Sequence, residues 1–95
     1  MTVIVGTLLV ELYISDALTL KDRRQVVKSL VGRIGERFNV SVAEVGGQNT
    51  RRHAALAVAA VSNSDPQVSR MLTAVLRFCE SDPRAEVVNA EIEID

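Results

Sequence analysis

The sequence has few side chains that could carry redox or metal chemistry. It contains one cysteine, Cys79, and one histidine, His53. A lone thiol cannot form an internal disulfide, and thiolate metal sites usually need several cysteines. A triad or an imidazole metal cluster would have to be built around His53, which has no thiol or paired carboxylate nearby in sequence. We therefore predict a protein without enzymatic activity, cofactor or metal, in which His53 is an ordinary loop residue and Cys79 a small buried apolar one.

Long apolar runs are also missing. The longest apolar stretch, residues 3–12, is interrupted by a glycine, a threonine and a glutamate. It falls short of the roughly 18 residues that a membrane span requires. Met1 and Thr2 offer no basic leader of the secretory kind. These features predict a cytoplasmic protein without membrane association, and 95 residues with 47% hydrophobic content predict a single domain over residues 1–95 with one core.

The net charge of −1 conceals an uneven distribution. Residues 20–38 carry six basic and two acidic side chains, a net charge of +4. Residues 80–95 carry six acidic side chains and one basic side chain, a net charge of −5. Such polarity can steer an anionic partner or favour head-to-tail association.

The hydrophobic periodicity predicts the order strand, helix, strand, strand, helix, strand. Thr19 with Asp22 resembles a capping box at the start of the first helix. Asp65 as a capping acceptor followed by Pro66 marks the start of the second helix. A polar hairpin loop, Gly46 to His53, separates the second and third strands, and its glycine pair is typical of turns. The predicted elements are strands 2–14, 39–46, 54–62 and 86–94, with helices 20–38 and 65–80.

Alternation along the strands predicts which side chains face the core. The first strand has an apolar face at its even positions, within which Gly6 marks a bulge or a close approach by a helix. In the last strand the even positions Val88, Ala90, Ile92 and Ile94 are predicted to point inward.

This order of elements predicts a ferredoxin-like βαββαβ sandwich of the α+β class: a four-stranded antiparallel sheet with the first and third strands central and both helices on one face. The other face would leave apolar side chains bare. Such a patch usually marks an association surface, so we predict a homodimer through this face. The alternative is that scattered small side chains need no partner. The predicted interface residues are Val3, Val5, Leu9 and Tyr13.

Nucleic-acid binding through stacked bases is not favoured, because RNA recognition motifs use aromatic residues on the central strands and only Tyr13 is available. Binding through phosphates is the alternative. The candidate residues are Lys21, Arg24 and Lys28 on the first helix and Arg51 and Arg52 in the hairpin loop, unless they simply form a solvated basic face. Arg23 instead projects into the apolar stripe, and we expect it to pair with a carboxylate, which a second subunit could provide.

Several separated blocks fall in order at compatible spacings: Leu18–Arg24, Val26–Leu30, Phe38–Val45, Val61–Asn63 and Glu91–Ile94. Together these blocks resemble the YlxP-like family of small bacterial proteins, a domain of unknown function. The resemblance implies a ferredoxin-like domain with no established enzymatic activity, encoded near genes for translation initiation and ribosome maturation. In the hairpin loop, relatives commonly carry an acidic residue, a glutamine and a tryptophan, and only Gln48 matches here.

Charge and resemblance together predict a ribosome- or RNA-associated accessory factor. The competing hypothesis is a protein-interaction or small-ligand-sensing module whose working surface is the open face of the sheet. Salt dependence separates the two, because phosphate binding weakens steeply with ionic strength and apolar association does not.

Overall fold

The six predicted elements are all present and in the predicted order. A computed structural model describes residues 1–47 and 50–95, so Gln48 and its match to the family lie outside the described residues. Neither helix in this part of the chain is long and apolar enough to cross a membrane. The elements are β1 (Ile4–Tyr13), α1 (Leu20–Arg37), β2 (Ser41–Gly46), β3 (His53–Ser62), α2 (Asp65–Glu80) and β4 (Glu86–Ile94).

The four strands form one antiparallel sheet in the order β2-β3-β1-β4. The central pair, β1 and β3, keeps one register over its whole length, from Ile4 opposite Ser62 to Tyr13 opposite His53. This is the predicted ferredoxin-like arrangement, in which β2 and β4 are the edge strands.

Both helices cover one face of the sheet, as the periodicity predicts. The even-numbered side chains of β1 and β3 point to that face, and they are buried from Leu8 to Leu12 and from Ala54 to Ala60. Each helix packs its apolar stripe against them. This burial stabilises the fold by roughly 25 cal/mol for each Å² of apolar surface removed from water. The helical residues at the centre of the core are Val27, Leu30 and Ile34 of α1 and Val68, Leu72, Val75 and Cys79 of α2.

The N-terminal cap predicted from the sequence is correct for α1 but not for α2. The capping box of α1 is confirmed: the Asp22 amide donates to Thr19 Oγ1 at 3.1 Å, and the Thr19 amide donates to Asp22 Oδ2 at 3.2 Å. The predicted cap of α2 is wrong. Asp65 is already the first helical residue, Ser64 is the N-cap, and no side chain caps the helix there.

The last strand contains a β-bulge that the alternation did not predict. Glu11 pairs with Asn89 and Leu12 pairs with Val87, so Val88 is the extra residue. On the N-terminal side of the bulge, the inward and outward positions are exchanged. Val87 packs against the core, whereas Val88, predicted to point inward, is 53% exposed. Ala90 and Ile94 pack inward as predicted, and Ile92 is left 38% exposed at the sheet edge.

Gly6 marks the place where α2 packs directly on the backbone of β1. A Cβ built at this position would overlap Val68 and would lie 2.9 Å from Leu72 Cδ1 and 3.3 Å from Ile94 Cγ1. Gly6 pairs with Ala60 of β3 and with Ile94 of β4, and neither pairing shifts its register there, so the glycine reflects a close approach by a helix and not a bulge.

We expect Gly6→Ala to lower the free energy of unfolding by about 1–3 kcal/mol, because the added methyl group would force α2 away from the sheet. Gly32→Ala is the matched control. Gly32 lies within α1 and nothing stands within 4 Å of a Cβ there, so the same substitution should stabilise the protein by about 0.5–1 kcal/mol. Urea denaturation followed by circular dichroism measures both, and equal effects of the two substitutions would contradict the close approach.

Candidate nucleic-acid interface

A buried arginine positions the predicted basic loop. The Arg23 side chain is 1% exposed. Its Nε donates to the His53 carbonyl oxygen at 2.7 Å, and its Nη2 donates to the Glu44 carboxylate and to the Gly46 carbonyl oxygen at 3.5 Å. The expected carboxylate partner is therefore present, but Glu44 belongs to the same chain and not to a second subunit.

These contacts attach α1 to both strands of the β2–β3 hairpin, since Glu44 and Gly46 lie on β2 and His53 begins β3. Gly47 begins the turn with a φ of +80°, and a Cβ there would lie 2.5 Å from the His53 carbonyl oxygen. Thr50 donates its amide and its hydroxyl to the Gly47 carbonyl oxygen at 3.1 and 3.0 Å. Gly47 thus has the turn role that the sequence predicts for the glycine pair, whereas Gly46, predicted to begin the loop, is the last residue of β2 and pairs with Ala55.

The two loop arginines lie against the connection between β1 and α1. Arg51 Nη1 lies 3.4 Å from the Leu18 carbonyl oxygen, and Arg52 Nε lies 3.3 Å from the Ala17 carbonyl oxygen. Both acceptors come just before the N-cap of α1. The hairpin loop therefore meets the first turn of α1, although the two segments are about 30 residues apart in sequence.

The three helix cations extend this region along the outside of α1. Lys21, Arg24 and Lys28 are exposed and are spaced three and four residues apart, so they share one side of the helix over about 10 Å. We call these three residues, with Arg51 and Arg52, the basic surface. Within the described residues, no member of the basic surface forms an ion pair.

The four predicted interface residues all lie away from the helices. Val3 is 63% exposed and Val5 is 41% exposed, while Leu9 and Tyr13 are half-buried. Leu9 lies opposite Ala57 of β3 and opposite Glu91 of β4. The open face is thus apolar along β3 and around Val5 and Leu9 of β1, and acidic along β4 and at Glu11 of β1.

His53 was predicted as a loop residue but is the first residue of β3, opposite Tyr13. The two ring centroids are 5.3 Å apart and the rings are tilted by 59°. They form one aromatic pair at the end of the central strands, a pairing that the sequence prediction missed.

Cys79 lies in the core, as its place on the apolar stripe predicts. Burial, with smaller contributions from the carboxylates of Asp82 and Glu80, raises the pKa of the thiol to about 11. At neutral pH the side chain is therefore a protonated, weakly nucleophilic group.

A second group of arginines lies on the helical layer and was not singled out by the sequence analysis. Arg37 of α1 and Arg70 and Arg77 of α2 line an open groove of about 580 Å³ between the two helices. Their signal in the sequence is weak, because two cations seven residues apart on α2 share a face but nothing indicates which helix they oppose. Only the packing of α2 beside α1 brings the three together.

Asp82 fixes the end of the loop that follows α2. It accepts from the Arg84 amide at 2.9 Å and from the Arg84 guanidinium at 2.7 and 3.0 Å. These hydrogen bonds lower the pKa of the Asp82 carboxyl below its usual 3.8. Arg33 Nη1 also lies 3.7 Å from Asp82 Oδ2. Arg84 also reaches Ser29 Oγ at 3.1 Å, which ties this loop to α1.

The comparisons with known proteins match this fold over almost its whole length. A family model described as a protein of unknown function, DUF503, matches residues 5–92. The uncharacterized protein YlxP of Bacillus subtilis (strain 168) is 41% identical over 76 residues, which cover 80% of this chain and 83% of that protein. The chain belongs to the DUF503 family. The resemblance to YlxP-like proteins noted from the sequence is therefore confirmed.

Among solved structures, the de novo designed protein Foldit4 superposes with a TM-score of 0.55 at 12% identity, over 98% of this chain and 96% of that one. Identity at this level shows the shared fold alone. For this DUF503 member, the placement of individual side chains has to carry any argument about a site.

We expect Arg23→Met to lower the free energy of unfolding by about 3 kcal/mol, because Glu44 and the His53 carbonyl oxygen would lose their partner. Arg24→Met, one residue along and exposed, is the control and should change it by less than about 0.5 kcal/mol. The double variant R23M/E44M should recover part of the loss, since no unpaired carboxylate remains. Chemical denaturation tests all three, and a loss below about 1 kcal/mol for Arg23→Met would contradict the role given to Arg23.

Proposed function

We propose that this protein is a non-enzymatic, cytoplasmic accessory factor that binds RNA, such as the RNA of ribosomal particles, through phosphate contacts made by the basic surface. The observation that carries the proposal is that Arg51 and Arg52 lie against the β1–α1 connection, just before the helix whose outer side carries the three other cations. Two cationic segments that are separate in sequence are thereby brought to the N-terminal end of α1.

The ionic state of this region supports the proposal. Arg51 and Arg52 are held by carbonyl oxygens and not by carboxylates, so their positive charge is not neutralised. Lys21, Arg24 and Lys28 project into solvent. In the described part of the chain these cations have no carboxylate partner, and such cations attract a phosphate backbone, whose binding would release condensed counterions.

The mode of binding follows from the shortage of aromatic side chains on the open face. Tyr13 and His53 are the aromatic residues of the fully described central strands, and they pack on each other at one end. The rest of this face on the central strands presents alanines and Val61 of β3, and Val5, Thr7, Leu9 and Glu11 of β1. Phosphate contacts therefore account for affinity, and sequence discrimination among RNAs should be weak.

Neutralising the helix cations tests this proposal directly. We expect K21Q/R24Q/K28Q to weaken binding to single-stranded RNA and to lower the slope of log affinity against log salt by about 2, since each lost phosphate contact accounts for about 0.7. Fluorescence anisotropy with a labelled oligonucleotide at several salt concentrations gives both quantities.

The matched control K21R/K28R keeps the charge and changes the side chains, so it should bind like the parent protein. An unchanged slope and affinity in the triple glutamine variant would overturn the proposal, as would a complete absence of RNA binding by the parent protein.

A second candidate function is self-association through the open face. Val5 pairs with Val61 across the central strands, and these exposed side chains adjoin the half-buried Leu9 and the small alanines of β3. Small side chains let a second sheet approach to about 10 Å. In an isologous homodimer, these apolar side chains would pack against the same side chains of a second copy.

We expect the parent protein to be dimeric at tens of micromolar concentration, and Leu9→Lys to be monomeric. Lysine suits the folded monomer because Glu91 lies directly opposite on β4. Leu18→Lys, at an exposed leucine before α1, is the control and should remain dimeric. Light scattering coupled to size exclusion measures the mass. A monomeric parent protein, or a dimeric Leu9→Lys variant, contradicts this proposal.

A further inference from the structure

The groove between α1 and α2 carries cations on both of its walls. Arg37 comes from the last turn of α1, whereas Arg70 and Arg77 come from α2. The polar side chains between them are the hydroxyl residues Ser69 and Thr73. No carboxylate lines the groove in the described part of the chain, and its volume of about 580 Å³ lies within the range of small-molecule sites.

The three guanidinium groups are free to bind an external anion. Over residues 1–47 and 50–95, none of the three forms an ion pair or donates a side-chain hydrogen bond. Asp82 is bound by Arg84, and Glu36 lines a neighbouring depression together with Arg33 and Arg37, without an ion pair to Arg37. The positive potential of the groove is therefore not cancelled from within.

An aromatic side chain supports one wall of the groove. The guanidinium carbon of Arg37 lies 5.3 Å from the centroid of the Phe78 ring, and that of Arg33 lies 5.0 Å from it. Phe38 packs edge-on against the same ring at 5.8 Å. Cation–π contact restrains a guanidinium without using its N–H donors, so less side-chain entropy is lost when an anion binds.

The helix dipole alone does not explain this arrangement. Arg37 and Arg77 stand in the last turns of their helices, where a cation is favoured by the dipole. Arg70 lies near the start of α2, so the negative end of the helix dipole does not stabilise its charge. Arg70 and Arg77 are about 10 Å apart along the axis, so an anion that contacts both must carry charge over a comparable length.

We propose that this groove is a binding site for a run of neighbouring phosphate groups, with Arg37, Arg70 and Arg77 as the ligating side chains. Guanidinium is the group that best matches phosphate, through paired N–H donors. The phosphates could belong to a small polyphosphate compound or to a nucleic-acid strand. This site is separate from the basic surface and does not rest on the proposed RNA function.

Isothermal titration with inorganic tripolyphosphate tests the first source. We expect the parent protein to bind it, and R70Q/R77Q to bind at least about tenfold more weakly, because two charged donor groups are lost. R24Q/K28Q is the matched control. It removes the same charge from the outer side of α1, and should lose less affinity for tripolyphosphate than R70Q/R77Q does.

A short single-stranded RNA tests the second source with the same variants. Weaker RNA binding by R70Q/R77Q supports the groove with nucleic acid as the phosphate source, whereas weaker binding by R24Q/K28Q alone reports on the basic surface. If R70Q/R77Q bound both probes as tightly as the parent protein, or if the parent protein bound neither, the proposal would be overturned.

Amide chemical shifts of the parent protein give a readout that needs no variant. Addition of the bound probe should shift the amides of residues 69–77 together with those of Arg37 and Phe38. Shifts confined to the hairpin loop and the first turn of α1 would place the ligand elsewhere and would overturn the proposal.

Discussion

The arrangement of the basic surface depends on one buried cation. Arg23 lies within the otherwise apolar stripe of α1. Its guanidinium donates to Glu44 of β2 and to main-chain carbonyl oxygens at both ends of the hairpin turn. Every described buried side-chain nitrogen and oxygen has a partner, as a buried charge requires. Because the contact joins helix to hairpin, it also determines where Arg51 and Arg52 lie relative to the first turn of α1.

Cationic and acidic side chains lie on different parts of the fold. The outside of α1 and the groove beside α2 are cationic, whereas Glu91 and Glu93 lie exposed along the edge strand β4. Acidic side chains on an edge strand discourage pairing with a further strand, so β4 is protected against edge-to-edge association. The apolar centre of the open face has no such protection. An anionic partner and a second copy of the chain would thus use different sides of one small domain.

The element order was predictable because each element has a local signal that the core reinforces. The capping box at Thr19 and the alternation in β1 are short-range patterns, and both are confirmed. The errors fell where local signals compete. Asp65 and Ser64 are both adequate caps, and the alternation in β4 is broken by a bulge at Val88 that only pairing with β1 produces. The five members of the basic surface were predicted, but not the contacts that unite them.

The sequence by itself determined the fold class, the two helix faces, the burial of Cys79 and the outward placement of the cations, because periodicity and side-chain chemistry act over a few residues. Only the tertiary structure decided that Arg23 pairs with Glu44, that the hairpin loop rests on the start of α1, and that Arg37 faces Arg70 and Arg77 across a groove. These are contacts between segments 20 or more residues apart, and they exist only once both helices have packed on one sheet.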